Sequence, residues 1–82
     1  MGKFASDAKE LLAAINSKEN IVAVSHCITR MRFVLADPKQ ADIKRIEAIP
    51  SVKGTFTQAG QFQVIIGNEV ADFYKDFTEI SG

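Results

Sequence analysis

Two pairs of short β-like segments constrain the fold of this 82-residue chain most. The first pair is residues 20–24 and 29–36, and the second is residues 52–57 and 62–66. These segments are rich in β-branched or aromatic residues and are bounded by turn-forming residues, which is typical of strands. The connection inside each pair is very short, and such a connection requires antiparallel neighbours. The sequence therefore predicts two β-hairpins.

Three helix-like segments flank and separate the hairpins. Their apolar residues recur at helical spacing, which predicts one buried face on each helix. Residues suited to capping stand near the start of each segment. The apolar faces are Phe4, Ala8, Leu11, Leu12 and Ile15, then Ile43, Ile46 and Ile49, then Val70, Phe73, Tyr74 and Phe77. The candidate starts are Ser6 with Asp7, either Asp37 before Pro38 or Asp42, and Gly67 with Asn68.

The element order α-β-β-α-β-β-α indicates an α+β fold, with a four-stranded antiparallel sheet and three helices on one face. Along residues 29–36, Met31 and Phe33 alternate with Arg30 and Arg32. Because neighbouring side chains of a strand point to opposite faces, the apolar residues are expected to face the helices and the arginines to face away. The length of the chain fits one domain, residues 1–82.

Composition narrows the class of protein. Hydrophobic residues make up 46% of the chain, which is ordinary for a packed core, and ten basic residues balance ten acidic ones. The absence of net charge disfavours nucleic-acid binding. No apolar run approaches the roughly 20 residues of a membrane span, and the N-terminus lacks a signal-peptide pattern. A single cysteine excludes an internal disulfide, so we expect a cytoplasmic chain that does not itself insert into a membrane.

The segment SHCITRMRF, residues 25–33, holds the only cysteine and the only histidine of the chain. A thiolate is the reactive form of cysteine, and both arginines and the free N–H groups of a tight turn stabilise it. A phosphoryl group on Cys27 would carry about 1.5 to 2 negative charges at neutral pH. Arg30 and Arg32 can neutralise that charge through charge-assisted hydrogen bonds. We therefore predict that Cys27 is a nucleophile and a phosphoryl acceptor.

Other interpretations of this segment stay open. If the chain is a noncatalytic anion-binding or regulatory module, Cys27 is a buried structural residue. The arginines then either bind an anionic ligand or lie on a solvated face of the strand. His26 and Cys27 alone cannot complete a tetrahedral zinc site, and there is no second cysteine for a redox pair. A phosphatase-like loop would need an arginine six positions after the cysteine, and that position is Phe33. No metal or cofactor is implied.

Three further residues are auxiliary candidates. His26 either relays a proton or binds the phosphate, or it makes only local hydrogen bonds. Thr29 either contributes its backbone N–H or hydroxyl to the turn, or it is simply a strand former. Gln63 either reaches the turn of the first hairpin, or it is an exposed strand residue.

The stretches HCITRMRF, VKGTF and GQFQVIIG, followed by a helix, resemble the enzyme IIB domain of the bacterial sugar phosphotransferase system, glucose and sucrose superfamily. The resemblance covers nearly the whole chain, and its core pattern is Cys-x-Thr-Arg-x-Arg. SHCITR together with VKGTFTQAGQFQVIIG and DFY is most similar to the trehalose-specific branch.

This resemblance implies a role for each residue of the motif. Cys27 would accept a phosphoryl group from a phosphohistidine of enzyme IIA and pass it to a sugar held by the membrane domain, enzyme IIC. The turn amides of Ile28 and Thr29 would cradle the phosphate, with Arg30 and Arg32 in the paired-arginine positions. His26 departs from family members that have a small residue there.

The resemblance also implies an activity and its setting. The activity is that of a protein-phosphohistidine:sugar phosphotransferase with a phosphocysteine intermediate, without a cofactor. The implied partners are enzyme IIA and sugar-loaded enzyme IIC, which would place the domain at the cytoplasmic face of the membrane. If the chain is an excised enzyme IIB domain rather than a free-standing subunit, a linker to enzyme IIC would begin at residues 81–82.

Overall fold

The computed structural model describes residues 2–82, and in this part of the chain three helices and four strands follow the predicted order. The helices are α1 (Ala5–Ile15), α2 (Ile43–Glu47) and α3 (Val70–Ser81). The strands are β1 (Ile21–His26), β2 (Arg30–Leu35), β3 (Gly54–Gln58) and β4 (Gln61–Ile65). Single 3₁₀ turns, Lys18–Asn20 and Pro38–Gln40, precede β1 and α2. No helix within residues 2–82 has the length and apolar character that crossing a membrane requires.

The four strands form one antiparallel sheet in the order β1-β2-β4-β3. Each predicted hairpin is present, and the two hairpins meet where β2 pairs with β4 in the middle of the sheet. Arg32 lies opposite Gln63 at this junction, and Gln63 lies opposite Phe56 on β3. These three residues therefore form one row across the sheet, on the face that the helices leave open.

The helices cover the other face, as predicted. Met31 and Phe33 of β2 are fully buried there, and the ring of Phe33 packs edge-on against Phe77 of α3 with centroids 5.4 Å apart. Burial of each such side chain contributes about 1.5–3 kcal/mol. In the second predicted helix, Ile46 and Ile49 are buried, whereas Ile43 is exposed because it lies in the first turn of a helix of only five residues.

The prediction that Ser6 caps α1 is wrong, whereas Asp7 lies in the first turn of the helix as predicted. The helix begins at Ala5 after Phe4, and no side chain of this segment caps it. The buried carboxylate of Asp76 on α3 instead accepts the N–H groups of Gly2, at 3.0 Å, and Phe4, at 2.9 Å. A distant acceptor thus satisfies donors at the start of the helix, which local sequence cannot reveal.

The other predicted helix starts have different outcomes. Asp37 caps the 3₁₀ turn by accepting the N–H of Lys39, and Asp42 caps α2 by accepting the N–H of Arg45, both at 3.1 Å. Of the two alternatives, Asp42 is therefore the start of α2, whereas Asp37 opens a separate 3₁₀ turn. The prediction that Asn68 caps α3 is wrong, because that helix follows Glu69 without a side-chain cap.

Candidate functional site

Cys27, Ile28 and Thr29 connect β1 to β2. The N–H of Cys27 donates to the carbonyl of Arg30 at 2.9 Å, which leaves only Ile28 and Thr29 at the tip of the turn. The Ile28 side chain is 86% exposed, whereas Cys27 is half-buried. The turn therefore projects beyond the sheet and keeps the thiol within reach of solvent.

The predicted turn SHCI begins two residues too early. Ser25 and His26 belong to β1, where they lie opposite Arg32 and Met31. Backbone pairing continues to the end of β1 because both strands can extend their hydrogen bonds up to the tight turn. The extension matters for the site, because alternation then places Ser25 on the open face and His26 on the helix-covered face.

The turn is tied to the end of the second hairpin. The carbonyl oxygen of Thr29 accepts two N–H groups, from Ile66 and Gly67, each at 2.9 Å. Gly67 has a φ of 108°, a backbone conformation that residues with a side chain rarely adopt. The segment after β4 thus holds Thr29 in place from outside its own hairpin.

The thiol of Cys27 lies where several donors stabilise its anion. The backbone N–H of Thr29 is the main cause that lowers the pKa of Cys27 below its ordinary value. The backbone N–H of Arg30 and the charge and hydrogen bonding of the Arg32 side chain lower it further, while partial burial opposes them. This arrangement favours the thiolate, which is the nucleophilic form.

The two arginines of the motif have different surroundings. Arg30 Nη1 donates to Oε1 of Gln63 at 2.9 Å, and its guanidinium carbon lies 5.6 Å from the ring centroid of Phe56. Nε of Arg32 is buried and has no hydrogen-bond partner within residues 2–82. Arg30 is therefore held by other side chains, whereas the Arg32 side chain interacts with Cys27 and keeps one buried donor, Nε, without a partner among the described residues.

Gln63 is 4% exposed, so the interpretation of this residue as an exposed strand position is wrong. It lies on β4 between Arg32 of β2 and Phe56 of β3. Its side chain reaches the first hairpin by accepting from Arg30. Sequence reasoning missed Phe56 as a neighbour of the motif, because its place beside Arg30 depends on which strands pair.

His26 is placed apart from the arginines. Its ring packs on Tyr74 of α3 with centroids 4.7 Å apart, and Nδ1 lies 3.0 Å from the carbonyl oxygen of Cys27. This exposed side chain thus packs on one ring of α3 and contacts the backbone of the turn. No cluster of three or more His, Cys, Asp or Glu side chains in the described part of the chain is arranged to hold a metal ion.

Comparison with known proteins assigns this arrangement to a family. Residues 9–42 match the model of the phosphotransferase system EIIB family. A crystal structure of one domain of the PTS system IIabc component from Clostridium difficile has a TM-score of 0.87 and 32% sequence identity. The alignment covers 95% of this chain and 82% of that one. This chain belongs to the EIIB family of the phosphotransferase system.

Longer relatives of this EIIB domain have names that include the sugar for which they are specific. It is 49% identical over 77 residues to the PTS system trehalose-specific EIIBC component of Escherichia coli strain K12, covering 94% of the domain and 16% of the relative. It is 40% identical over 80 residues to the PTS system beta-glucoside-specific EIIBCA component of Halalkalibacterium halodurans, covering 98% and 13%. The domain thus spans about a sixth or less of the length of these relatives.

Proposed function

We propose that this EIIB domain is the phosphoryl carrier of a sugar transporter, with Cys27 as the residue that is phosphorylated. The donor is a phosphohistidine on an EIIA domain, and the acceptor is a sugar bound by a membrane EIIC domain. One observation carries the proposal: two backbone N–H groups and the side chain of Arg32 stabilise negative charge on a single, reachable sulfur atom. The same donors suit a phosphoryl group attached to that sulfur.

In the first step, the thiolate of Cys27 attacks the phosphorus of the phosphohistidine in line with the bond to the imidazole nitrogen. The P–S bond forms, the P–N bond breaks, and the electron pair leaves with the imidazole. The lowered pKa of Cys27 increases the fraction of thiolate at a given pH, and the thiolate is the attacking form. Because the turn protrudes, a donor can approach Cys27 past the small tip formed by Ile28 and Thr29.

In the second step, a sugar hydroxyl attacks the same phosphorus. The P–O bond forms, the P–S bond breaks, and the electron pair returns to the sulfur, while a base of the sugar-binding domain takes the hydroxyl proton. The donors that stabilise the Cys27 thiolate also make it a better leaving group. One electrostatic arrangement therefore serves both halves of the transfer.

Within this scheme each motif residue has a separate task. The N–H groups of Thr29 and Arg30, which stabilise the sulfur, line the phosphate site together with that of Ile28. The Arg32 side chain neutralises charge next to the sulfur, and the Arg30 side chain supplies the second guanidinium. His26 supports the turn from the other face of the sheet, as its packing on Tyr74 favours.

The named relatives support a proposal for the sugar and for the setting. Trehalose is the proposed substrate, because the Escherichia coli relative is trehalose-specific by name and is 49% identical. The EIIBC and EIIBCA names of the relatives support EIIC as a partner and, with less direct support, EIIA as the donor. The domain would then act at the cytoplasmic face of the membrane, without a cofactor.

The test is the intact mass of the domain after incubation with a phosphorylated EIIA protein. The wild-type domain and Ser25→Ala are expected to gain one phosphoryl unit, whereas Cys27→Ala gains none. Ser25 is a matched control, because it is an exposed potential nucleophile on β1, two residues before Cys27. Phosphorylation of Cys27→Ala would refute the proposal. Failure of several EIIA donors to modify the wild type would favour a noncatalytic anion-binding module.

A further inference from the structure

Arg30 is held in place by contacts that come from the second hairpin. Its own strand neighbour on β4 is Ile65, yet its guanidinium reaches Gln63 on β4 and the ring of Phe56 on β3. Neighbouring strands lie about 4.8 Å apart, so this side chain extends across a whole strand of the sheet. An arginine has many rotamers, and two defined contacts over that reach restrict it strongly.

Phe56 is unusual for its position. It is 46% exposed on the open face of edge strand β3, where a large apolar side chain gains little from burial. The guanidinium carbon of Arg30 lies 5.6 Å from the ring centroid, within the range of a cation–π contact. The register places Phe56 directly opposite Gln63, so both residues contact the guanidinium from adjacent strands.

These contacts leave most of the guanidinium available. The side chain of Gln63 accepts one of the five N–H donors of the Arg30 guanidinium. An aromatic ring packed against a guanidinium takes none of them. The remaining donors belong to a side chain that is already oriented, on the face that also carries Arg32. An oriented donor loses less conformational entropy on binding an anion than a free one does.

We propose that Phe56, together with Gln63, is a positioning residue that holds the guanidinium of Arg30 in the orientation in which it binds the transferring phosphoryl group. The proposal rests on the phosphoryl-carrier function proposed above. It adds an aromatic residue outside the cysteine motif to the transfer machinery. Phe56 itself touches neither the donor nor the phosphoryl group.

The variants Phe56→Leu and Phe56→Trp separate this role from simple packing. Leucine retains an apolar side chain without a ring, whereas tryptophan retains the cation–π contact. Because Phe56 is half exposed, neither change disturbs the core. Val34→Ala is the matched control, since Val34 is a partly exposed apolar residue on the same open face.

The kinetic measurement uses the EIIA donor that phosphorylates the wild-type domain. Phe56→Leu is expected to lower the maximal rate of Cys27 phosphorylation by about two- to fivefold, the range that a partly exposed cation–π contact corresponds to. The KM for the phosphorylated donor stays unchanged, and Phe56→Trp and Val34→Ala behave like the wild type. A wild-type rate for Phe56→Leu, or an effect confined to KM, overturns the proposal. The second result would mean that Phe56 contacts the donor protein.

A physical measurement is independent of phosphoryl transfer. The ¹⁵N order parameter of the Arg30 Nε–Hε group should fall in Phe56→Leu and be retained in Phe56→Trp and Val34→Ala. An unchanged order parameter in Phe56→Leu would refute the positioning role even if transfer were slowed. If no donor phosphorylates the wild type, the carrier function fails, and this measurement alone still decides whether Phe56 positions Arg30.

Discussion

Gly67 donates its backbone N–H to the carbonyl oxygen of Thr29 at 2.9 Å, with a φ of 108°. This bond joins the segment after β4 to the turn that carries Cys27, so one backbone hydrogen bond holds together two residues almost 40 positions apart in sequence. Thr29 also supplies the N–H that most strongly lowers the pKa of Cys27. The glycine and the thiol are therefore linked through a single residue.

Substitution of Gly67 by alanine should destabilise the domain by about 1–3 kcal/mol, because a side chain is strained at this positive φ. The added Cβ would also approach Nζ of Lys53 at 3.2 Å, but that flexible side chain can move away. Urea denaturation measures the change. Gly54→Ala is the control, since its Cβ meets only Ile65 Cδ1 at 3.7 Å, and it should alter stability by less than about 0.5 kcal/mol. Equal losses for both variants would contradict the role of the Gly67 backbone.

The pKa of Cys27 should depend on Arg32 more than on Arg30. The rate of iodoacetamide alkylation against pH is expected to show a midpoint below that of an ordinary thiol. Arg32→Gln should raise this midpoint, because it removes a charge and a hydrogen bond that stabilise the thiolate. Arg30→Gln should raise it less, because the Arg30 contribution comes from its backbone N–H, which the variant retains. A larger increase in the midpoint for Arg30→Gln than for Arg32→Gln would contradict the role of the Arg32 side chain in stabilising the thiolate.

The same shift predicts a pH dependence of folding. The folded domain holds the pKa of Cys27 below its value in the unfolded chain, so the thiolate contributes stability above the unfolded-chain pKa. That contribution disappears as the pH falls through the folded-state pKa. Comparison of urea midpoints for the wild type and Cys27→Ala across this range should reveal the effect. A difference that does not vary with pH would contradict it.

His26 should matter for stability more than for phosphoryl acceptance. His26→Ala removes a ring packed against Tyr74, which is expected to cost about 0.5–1.5 kcal/mol in urea denaturation. The initial rate of phosphorylation should change by less than about threefold, because the contacts of the arginines stay intact. Tyr74→Phe is the control for stability, since it keeps the ring and loses only a long hydrogen bond, 3.4 Å, to Val24. A loss of phosphorylation as large as that of Arg32→Gln would indicate that His26 acts on the phosphate.

Asn20 should be one of the most sensitive polar residues of the fold. Its buried side chain donates to the carbonyls of Ile15, at 2.9 Å, and Asp37, at 3.1 Å, and accepts the N–H of Asp37 at 2.7 Å. Asn20→Ala leaves these backbone groups unpaired and is expected to cost about 2–4 kcal/mol. Thermal or urea unfolding measures this loss. The exposed Asn68→Ala should cost less than about 0.5 kcal/mol. Similar losses for both variants would show that the Asn20 network is unimportant.

Much of this fold could be predicted because its signals are local. The alternation along β2 correctly placed Met31 and Phe33 against the helices and Arg30 and Arg32 on the open face. The short connections correctly predicted both hairpins. The start of α1 could not be predicted, because the N–H groups of Gly2 and Phe4 are satisfied by Asp76, a partner distant in sequence. The end of β1 could not be predicted either, because its pairing with β2 continues up to the tight turn.

The sequence by itself determined the elements, the faces of the strands, and a lone cysteine followed by two arginines at a turn. These features depend on side-chain periodicity and on turn residues, which act over a few positions. Only the tertiary structure decided that β2 pairs with β4, and this pairing brings Gln63 and Phe56 to Arg30 and Gly67 to Thr29. The physical reason is that each hairpin forms its own internal hydrogen bonds whichever of its two strands pairs with the other hairpin. The choice between edges depends on how the two hairpins and three helices together bury one core.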